Sequence, residues 1–430
     1  MFSRYLLLAI VFVFSGVQTS FAQEKDDEQK LFAGPMISYI DDYSTQMWMM
    51  VGKDVKEIKL KFEDFDQDRS FEMNYKISEI DSYNRNRWYR EVHSYSFGDK
   101  IPVTMSLEQL RPDTEYKIDI YLDEELAYTD FEIFTPRNYL ADVYFMFGSG
   151  LYMNDNKNAE AMLDQMVDTD ADLMVWGGNN VQVSADKFDS FRAIIDEYQE
   201  IRENEKVDAL MQKYPQIATW DMHDFGLNSS DKRFALKDST LMAFNLFWPN
   251  APKKVYNYSF RDFGVYKSYE YEDVEIFMMD DRMFRTEKDD LEAGIYGQRQ
   301  IDRLIMELMG SGSPFKFIVS GEAFTQGGLK EYSAEYNELM DRLHKARIPG
   351  VVFLSGNAKD SKIRKEDRKN AYPLYELMCK DIAPQTGEAG NYSRMKVSGA
   401  LGERVCTFEV YDKDGNSILK KMIHESELKY

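Results

Sequence analysis

Cysteine is nearly absent from this chain of 430 residues, where Cys379 and Cys406 are the only two. A framework of disulfide bonds, of the kind that holds small secreted domains together, is therefore excluded. The two thiols could form one bond in an oxidising compartment, or they could remain as two buried, unpaired cysteines. We favour the unpaired interpretation, because spacing alone supplies no geometry for a bond.

Basic charge is also in short supply. Lysine and arginine number 53 against 75 aspartates and glutamates, which gives a formal net charge of −22. A surface of this sign repels phosphates, so nucleic acid is excluded as a partner and anionic membrane surfaces are disfavoured. The same charge also serves simply to keep a protein soluble.

Long apolar runs are missing except at the amino terminus. Arg4 precedes the apolar run Leu6–Val13, and Ser20-Phe21-Ala22 reads as a small-x-small cleavage site before Gln23. This pattern predicts a signal peptide over residues 1–22, too short to span a bilayer. The residue directly after the cleavage site is Gln23 and not a cysteine, so a lipoprotein anchor is not expected. No later stretch is long and apolar enough to cross a membrane. We therefore expect an exported protein without a membrane span that is periplasmic, extracellular or associated with the outer membrane.

Residues 31–136 carry the pattern of an all-β domain. Apolar and charged residues alternate from Ile58 to Phe62 and again from Tyr116 to Leu122, as in half-buried strands. Pro112 lies four residues before Tyr116, and a proline turn followed by a tyrosine at the start of a strand is typical of a tyrosine corner. The sequence predicts a fibronectin type III or immunoglobulin-like β-sandwich that ends at a linker near Pro136.

The pattern changes after Tyr139. Short apolar runs that end in polar or glycine-rich clusters alternate with amphipathic stretches, which predicts an α/β layered domain over residues 139–388. A β tail that packs on this domain is expected over residues 389–430. The strands predicted for the α/β domain are Val143–Phe147, Asp172–Trp176, Val255–Phe260, Phe263–Ser268, Val274–Met279, Phe315–Val319 and Val351–Leu354.

The stretch Trp220–Gly226 is the most polar of these strand ends. Asp221, His223 and Asp224 follow an apolar lead-in, and this combination suits a metal site or an acid–base pair. An equally open interpretation is a polar strand end whose groups only cap a helix or pair with one another. The spacing does not decide between them.

Several of these clusters occur in the order found in one family. The motifs are Phe147-Gly148-Ser149, Trp176-x-Gly178-x-Asn180-Val181, Trp220-Asp221-x-His223-Asp224-Phe225-Gly226, Asp280-Asp281-Arg282 and Ser355-Gly356. From Phe147 to Ile382 the chain resembles the PhoD-like (alkaline phosphatase D) metallophosphatases. The resemblance implies a calcineurin-like four-layer αββα fold that follows an amino-terminal β-sandwich. It also implies two metal ions held between strand-end loops.

The chain departs from the family pattern at the residues expected to hold metal. Gly150 stands where the family has cysteine, and no aspartate takes the family's place just beyond it; the nearest candidate, Asp155, is a weak one. Asn179 and Met222 each replace an aspartate. Asn357, Ala358 and Lys359 stand where the family has Asp-Arg-His. Of the family's polar set, only Asn180, Asp221, His223 and Asp224 remain.

These losses remove the charge that would hold two cations. An asparagine carbonyl brings no negative charge, a methionine thioether is a poor ligand for hard metals, and a lysine ammonium repels a cation. We therefore expect no cofactor and assign no catalytic residue. If activity remains, the resemblance implies divalent Ca, Fe, Zn or Mn at Asp221, His223, Asp224 and Asn180. The predicted vestigial pocket comprises Asn179, Asn180, Asp221, His223, Asp224, Glu322, Asn357 and Lys359.

Three hypotheses follow for the function. The first is a catalytically silent pseudophosphatase that acts as a binding or scaffold protein for another exported or cell-envelope protein. The second is a metal-dependent phosphomonoesterase or phosphodiesterase with an altered site. The third is a metal-free binder of a small anionic or sugar ligand.

Two further expectations concern charges at the pocket. The ammonium of Lys359 is expected to take the place of a metal and neutralise Asp221 and Asp224, unless the lysine points to solvent. The run Asp280-Asp281-Arg282 is interpreted as a structural ion pair at a strand end.

Overall fold

The computed structural model describes residues 29–64, 69–77, 98–153, 156–227, 230–250 and 264–430. The predicted signal peptide at 1–22, the predicted strand Val255–Phe260 and the candidate Asp155 lie outside these residues. Within the described part of the chain, no helix is both long enough and apolar enough to cross a membrane.

The amino-terminal part is all-β, as predicted, and forms two antiparallel sheets. Every second residue of the third and sixth strands is buried, because alternation places one face of each strand on a common core. The three-stranded sheet has the order β1 (Leu31–Ile40), β2 (Ser44–Gly52), β5 (Lys100–Glu108). The four-stranded sheet has the order β4 (Arg69–Lys76), β3 (Glu57–Asp64), β6 (Glu115–Leu122), β7 (Glu125–Phe134).

The predicted tyrosine corner is present at the start of β6. Tyr116 is buried, and its phenol oxygen accepts a hydrogen bond from the backbone N–H of Arg111 at 3.0 Å. This bond ties the loop before β6 to the core of the sandwich. The closer likeness to fibronectin type III or immunoglobulin domains stays a prediction.

The α/β part contains two six-stranded sheets. The first has the order β10 (Gln216–Thr219), β9 (Leu173–Gly177), β8 (Val143–Gly148), β17 (Tyr392–Ser398), β18 (Val405–Tyr411), β19 (Ser417–His424). The second has the order β11 (Lys267–Tyr271), β12 (Val274–Met278), β13 (Phe315–Ser320), β14 (Val351–Ala358), β16 (Leu374–Lys380), β15 (Lys362–Glu366). Strands β8 to β10 are parallel, as are β12, β13, β14 and β16.

The two sheets pack face to face and helices cover their outer faces. Phe145 of β8 meets Phe317 of β13 with ring centroids 5.0 Å apart, whereas Met146 points to the opposite side of its sheet, into a second core. Burial on both faces explains why these strands read as continuous apolar runs. Over the described residues, the α-helices are α1 (Lys157–Val167), α2 (Phe191–Glu203), α3 (Glu205–Lys213), α4 (Met222–Phe225), α5 (Lys237–Phe247), α6 (Gly297–Gly310) and α7 (Ser333–Lys345).

The carboxyl-terminal tail completes the first sheet. Strand β17 pairs antiparallel with β8, from Ser393 opposite Phe147 to Val397 opposite Val143. Cys379 and Cys406 are both buried and unpaired, which confirms the favoured interpretation of the two thiols. The domain boundaries near residues 136, 139 and 388 stay predictions.

One predicted strand is displaced. The sequence predicted a strand over Phe263–Ser268, whereas β11 begins at Lys267. Gly264 lies at a φ of +132°, and a Cβ there would come within 2.5 Å of a carboxylate oxygen of Asp280. The chain therefore turns against Asp280 before it extends, which alternation cannot reveal.

The all-β part is fastened to the α/β part by buried polar groups. The guanidinium of Arg202 lies 5.1 Å from the ring centroid of Trp48 and 4.1 Å from that of Trp248. The indole N–H of Trp48 donates to the backbone oxygen of Leu246 at 2.8 Å. The backbone N–H of Gly34 donates to a carboxylate oxygen of Asp208 at 2.7 Å. These contacts fix the two parts in one arrangement.

Candidate functional site

The carboxyl ends of strands from both sheets meet at one edge of the sandwich. A Cβ on Gly356, near the carboxyl end of β14, would lie 2.1 Å from the backbone oxygen of Gly177 at the end of β9. A Cβ on Gly321, after β13, would lie 2.5 Å from the Cβ of Asp221. Because the two sheets approach so closely here, the polar residues that follow these strands are brought together, as the motif order predicted.

The side chain of Asp224, the third residue of the short helix α4, caps the amino terminus of that helix. Its carboxylate is fully buried and accepts the backbone N–H of Asp221 at 2.9 Å and that of Asn180 at 2.9 Å. The backbone N–H of Val181 donates to it at 3.3 Å. Burial raises the pKa of Asp224 to about 7. This carboxylate is thus committed to the backbone, as the capping interpretation of Trp220–Gly226 expects.

Asp221 forms a buried ion pair with the guanidinium of Arg282. One carboxylate oxygen accepts a hydrogen bond from Nε of Arg282 at 2.9 Å and a second, shorter one from Nη2 of the same residue. The other oxygen accepts from the side-chain amide of Asn179 at 3.3 Å. Asp221 has no exposed surface and Arg282 only 2%. Two donors on one carboxylate from a single planar group make a strong, oriented ion pair.

Arg282 is shared among three carboxylates. Besides Asp221, it lies 2.8 Å from an oxygen of Glu322 and 3.5 Å from an oxygen of Asp281, and Arg285 also contacts Glu322 at 2.9 Å. These three acidic neighbours hold the pKa of Arg282 above its ordinary value despite burial, so the guanidinium stays charged. Burial, and next the charge of Asp221, raise the pKa of Asp281 well above its usual range.

The prediction for Lys359 is wrong. Lys359 is exposed on the loop that follows β14, whereas the cation beside Asp221 is Arg282. The interpretation of Asp280-Asp281-Arg282 as a structural ion pair is confirmed for Arg282 and Asp281. Asp280 plays a different part, since it accepts the indole N–H of Trp220 at 2.7 Å.

A cleft of about 390 Å³, here called the strand-end cleft, opens above these buried groups. Asn179, His223, Asn357 and Lys359 line it, whereas Asn180, Asp221, Asp224 and Glu322 are not among its lining residues. Nε2 of His223 lies 3.0 Å from the side-chain nitrogen of Gln385. Burial lowers the pKa of His223, which favours the neutral imidazole that can accept a hydrogen bond from this amide.

Asp381 is a lining residue that the sequence did not single out. The hydroxyl of Ser149 donates to its carboxylate at 2.9 Å and accepts the backbone N–H of Asn357 at 3.0 Å. Burial raises the pKa of Asp381 to about 6. A Cβ on Gly150, at φ +70°, would lie 2.3 Å from the carboxyl carbon of Asp381. The glycine that replaces the family's cysteine therefore makes room for this carboxyl group. Lys380 separates Asp381 from the apolar run Leu377–Cys379, and β16 itself was not predicted, so the sequence offered no clear signal for this residue.

The remaining donors do not fit a two-metal centre. A metal at Asp221 would have to displace the buried guanidinium of Arg282 or share its oxygen with it, against like charge. Asp224 points to backbone donors. Asn180 keeps one side-chain oxygen without a partner, but a single carbonyl supplies no charge. Over the described residues, no group of three or more His, Cys, Asp or Glu is placed to hold an ion.

No family model and no curated protein matches the chain. A solved structure described as that of PhoD superposes with a TM-score of 0.68 over 92% of this chain and 94% of that one, at 13% identity. The chain has the fold of a PhoD-like metallophosphatase. A predicted phosphoesterase from Streptococcus pneumoniae TIGR4 reaches a TM-score of 0.27 at 10% identity, over 66% of this chain and 99% of that one. Vps29 from Chaetomium thermophilum reaches 0.30 at 7% identity, over 67% and 96%. Scores this low carry no argument, and the PhoD likeness establishes the fold alone.

Proposed function

We propose that this protein is an exported PhoD-like pseudophosphatase, catalytically silent, which acts as a binding or scaffold protein for another exported or cell-envelope protein. The observation that carries the proposal is the buried pair of Asp221 and Arg282. It places a permanent cation of the chain itself on the carboxylate that the family pattern assigns to metal.

A guanidinium cannot take over the chemistry of a divalent ion. It neutralises charge and orients a carboxylate, but it does not bind a water molecule and lower its pKa to produce a hydroxide nucleophile. Met222 lies at a position where the family has a carboxylate, and Lys359 lies at one where it has histidine. With Arg282 paired to Asp221 and Asp224 bonded to backbone N–H groups, none of the described residues at this site supplies an activated nucleophile for a phosphate ester.

The remaining features support a binding role. Buried ion pairs and hydrogen bonds stabilise the fold around the site. The all-β domain is held against the α/β part through Arg202, which contacts both Trp48 and the backbone of Phe247. The amino-terminal pattern of Arg4, Leu6–Val13 and Ser20-Phe21-Ala22 supports export. Amino-terminal sequencing of the protein recovered from the cell envelope should begin at Gln23.

Metal analysis coupled to activity assays tests the proposal. The purified protein is incubated separately with calcium, iron, zinc and manganese and dialysed, and its metal content is measured. Hydrolysis of p-nitrophenyl phosphate and bis-p-nitrophenyl phosphate is then followed, with an active PhoD protein as the positive control. We expect far less than one ion per chain and no rate above buffer. One or more ions per chain together with metal-dependent hydrolysis would overturn the proposal and establish the alternative, a phosphomonoesterase or phosphodiesterase with an altered site.

A further inference from the structure

A second depression lies where the all-β part meets the α/β part, and we call it the interdomain groove. It has a volume of about 640 Å³ and shares no lining residue with the strand-end cleft. Three segments form it: the turn between β1 and β2, the segment that follows β7, and the hairpin of β11 and β12. The residues used below are Asp41, Asp42, Tyr43, Arg137, Tyr139, Leu140, Glu270, Glu272 and Asp273.

The groove is strongly acidic. Five lining residues carry carboxylates and one, Arg137, carries a guanidinium, which leaves a formal charge of −4 on the lining. Arg404, which lies outside the lining, pairs with Asp273 at 2.7 Å and compensates that one carboxylate. The pKa of Asp42 is raised by burial and by the charges of Asp41 and Glu270, so the carboxylates repel one another. A cationic guest would relieve this repulsion.

Glu272 shows where such a guest would bind. Its side chain is only 3% exposed, and one carboxylate oxygen lies 3.5 Å from Nη1 of Arg137. The other oxygen has no hydrogen-bond partner within the described residues. Burial raises the pKa of Glu272 to about 7, and a positive charge held in the groove would favour its ionised form.

Exposed apolar side chains border the acidic floor. Tyr43 is 58% exposed, Tyr139 55% and Leu140 42%. Tyrosine is enriched among the residues that dominate binding energy at protein interfaces, and its ring also attracts cations. These three side chains offer more apolar contact than a small amine would use, because an ammonium ion needs only the carboxylates and one ring.

We propose that the interdomain groove docks a basic segment of a partner protein. A lysine or arginine side chain enters between the carboxylates, where its charge compensates theirs, while apolar neighbours in that segment pack on Tyr43, Tyr139 and Leu140. This identifies the chemistry of the partner in the binding role proposed above, and in that sense it rests on that role. It does not depend on whether the strand-end cleft is catalytically silent.

The test is fluorescence anisotropy with a labelled short peptide that contains lysine and arginine interleaved with leucine and tyrosine. One control peptide has glutamate in place of each basic residue, and methylammonium serves as a competitor. We expect the basic peptide to bind, more weakly as salt rises, and the acidic peptide not to bind. Methylammonium should compete only at concentrations far above that of the peptide.

Matched variants locate the binding. Asp42→Asn should weaken binding about threefold, because it removes a rim charge, and Tyr139→Ala about tenfold, because it removes an exposed aromatic anchor. Asp289→Asn and Leu291→Ala alter exposed residues outside the groove and should leave the affinity unchanged. Binding that falls equally in Asp289→Asn would mean non-specific attraction to an acidic protein, and methylammonium that binds as tightly as the peptide would mean a small-amine site. Either result, or no binding, overturns this inference, while catalytic silence is judged separately by metal content and hydrolysis.

Discussion

Replacement of Arg282 by methionine is the sharpest perturbation of the site. Arg282→Met keeps most of the side-chain volume but removes the cation beside Asp221, Asp281 and Glu322. Two unit charges about 4 Å apart attract each other by about 4 kcal/mol at an effective dielectric constant of 20. Removing one partner of a buried ion pair costs about 3–5 kcal/mol, since the other charge is left uncompensated. We therefore expect the free energy of unfolding to fall by about 3–5 kcal/mol.

Urea unfolding followed by tryptophan fluorescence measures this loss. Trp176, Trp220 and Trp248 are all buried in the α/β part, so their emission reports on the region around the site. The matched control is Arg285→Met, which removes a guanidinium that contacts Glu322 from a more exposed position. This control should cost no more than about 1 kcal/mol.

A second variant separates lost charge from lost packing. In Asp221→Asn/Arg282→Met, the buried carboxylate and its cation are removed together, so part of the stability lost in the single variant should return. A cost below about 1 kcal/mol for Arg282→Met, or a double variant less stable than Arg282→Met, would refute the view that this pair has replaced metal in balancing the site's charge.

Three further outcomes are expected. Tyr116→Phe should lower the unfolding free energy of the β-sandwich by about 1 kcal/mol, because it removes the hydrogen bond from Arg111, as measured by circular dichroism melts; an unchanged melt would contradict the role of the corner. Gly150→Ala should cost about 1–3 kcal/mol in urea unfolding, since its Cβ meets Asp381, and Gly150→Ala/Asp381→Ala should recover part of that loss; equal stability of the two variants would count against the contact. The pKa of Asp381 is raised from 3.8 to about 6, so its contribution to stability is present at low pH and is lost as pH rises through about 6. Asp381→Asn should therefore flatten the fall in unfolding free energy over this interval in urea titrations at successive pH values, and a slope equal to that of the parent protein would exclude Asp381 as its source.

Local patterns in the sequence predicted much of the fold, because strand alternation is set by neighbouring residues. The runs Ile58–Phe62 and Tyr116–Leu122 lie within β3 and β6 as expected. Strand β16 was not predicted, because Glu376 interrupts its apolar run. A charged residue fits inside this buried strand because residues far away in the sequence satisfy it. The carboxylate of Glu376 is fully buried and accepts hydrogen bonds from the backbone N–H groups of Phe324 and Thr325.

The sequence predicted where the candidate site lies, but it did not predict which cation pairs with Asp221. Polar residues after parallel strands gather at one edge whatever their identity, so Asn179, Asp221 and His223 could be placed there from order alone. The partner of Asp221 is 61 positions away in the chain, and charge balance alone does not distinguish one nearby cation from another. The position of Lys359 in the last motif favoured it as the partner of Asp221. In the structure, the turn after β14 places Lys359 at the surface.

The position of β17 has a consequence for biosynthesis. This strand lies between β8 and β18, so the interior of the first sheet contains a segment that is synthesised more than 200 residues after β8. The described strands of the β-sandwich lie between Leu31 and Phe134, so this part can close early, whereas the first sheet of the α/β part must wait until β17 to β19 have been made. A chain that stopped at residue 388 would leave β8 as an open edge with unpaired backbone groups, a template for aggregation. Premature termination should therefore yield an aggregating product and not a shorter working protein.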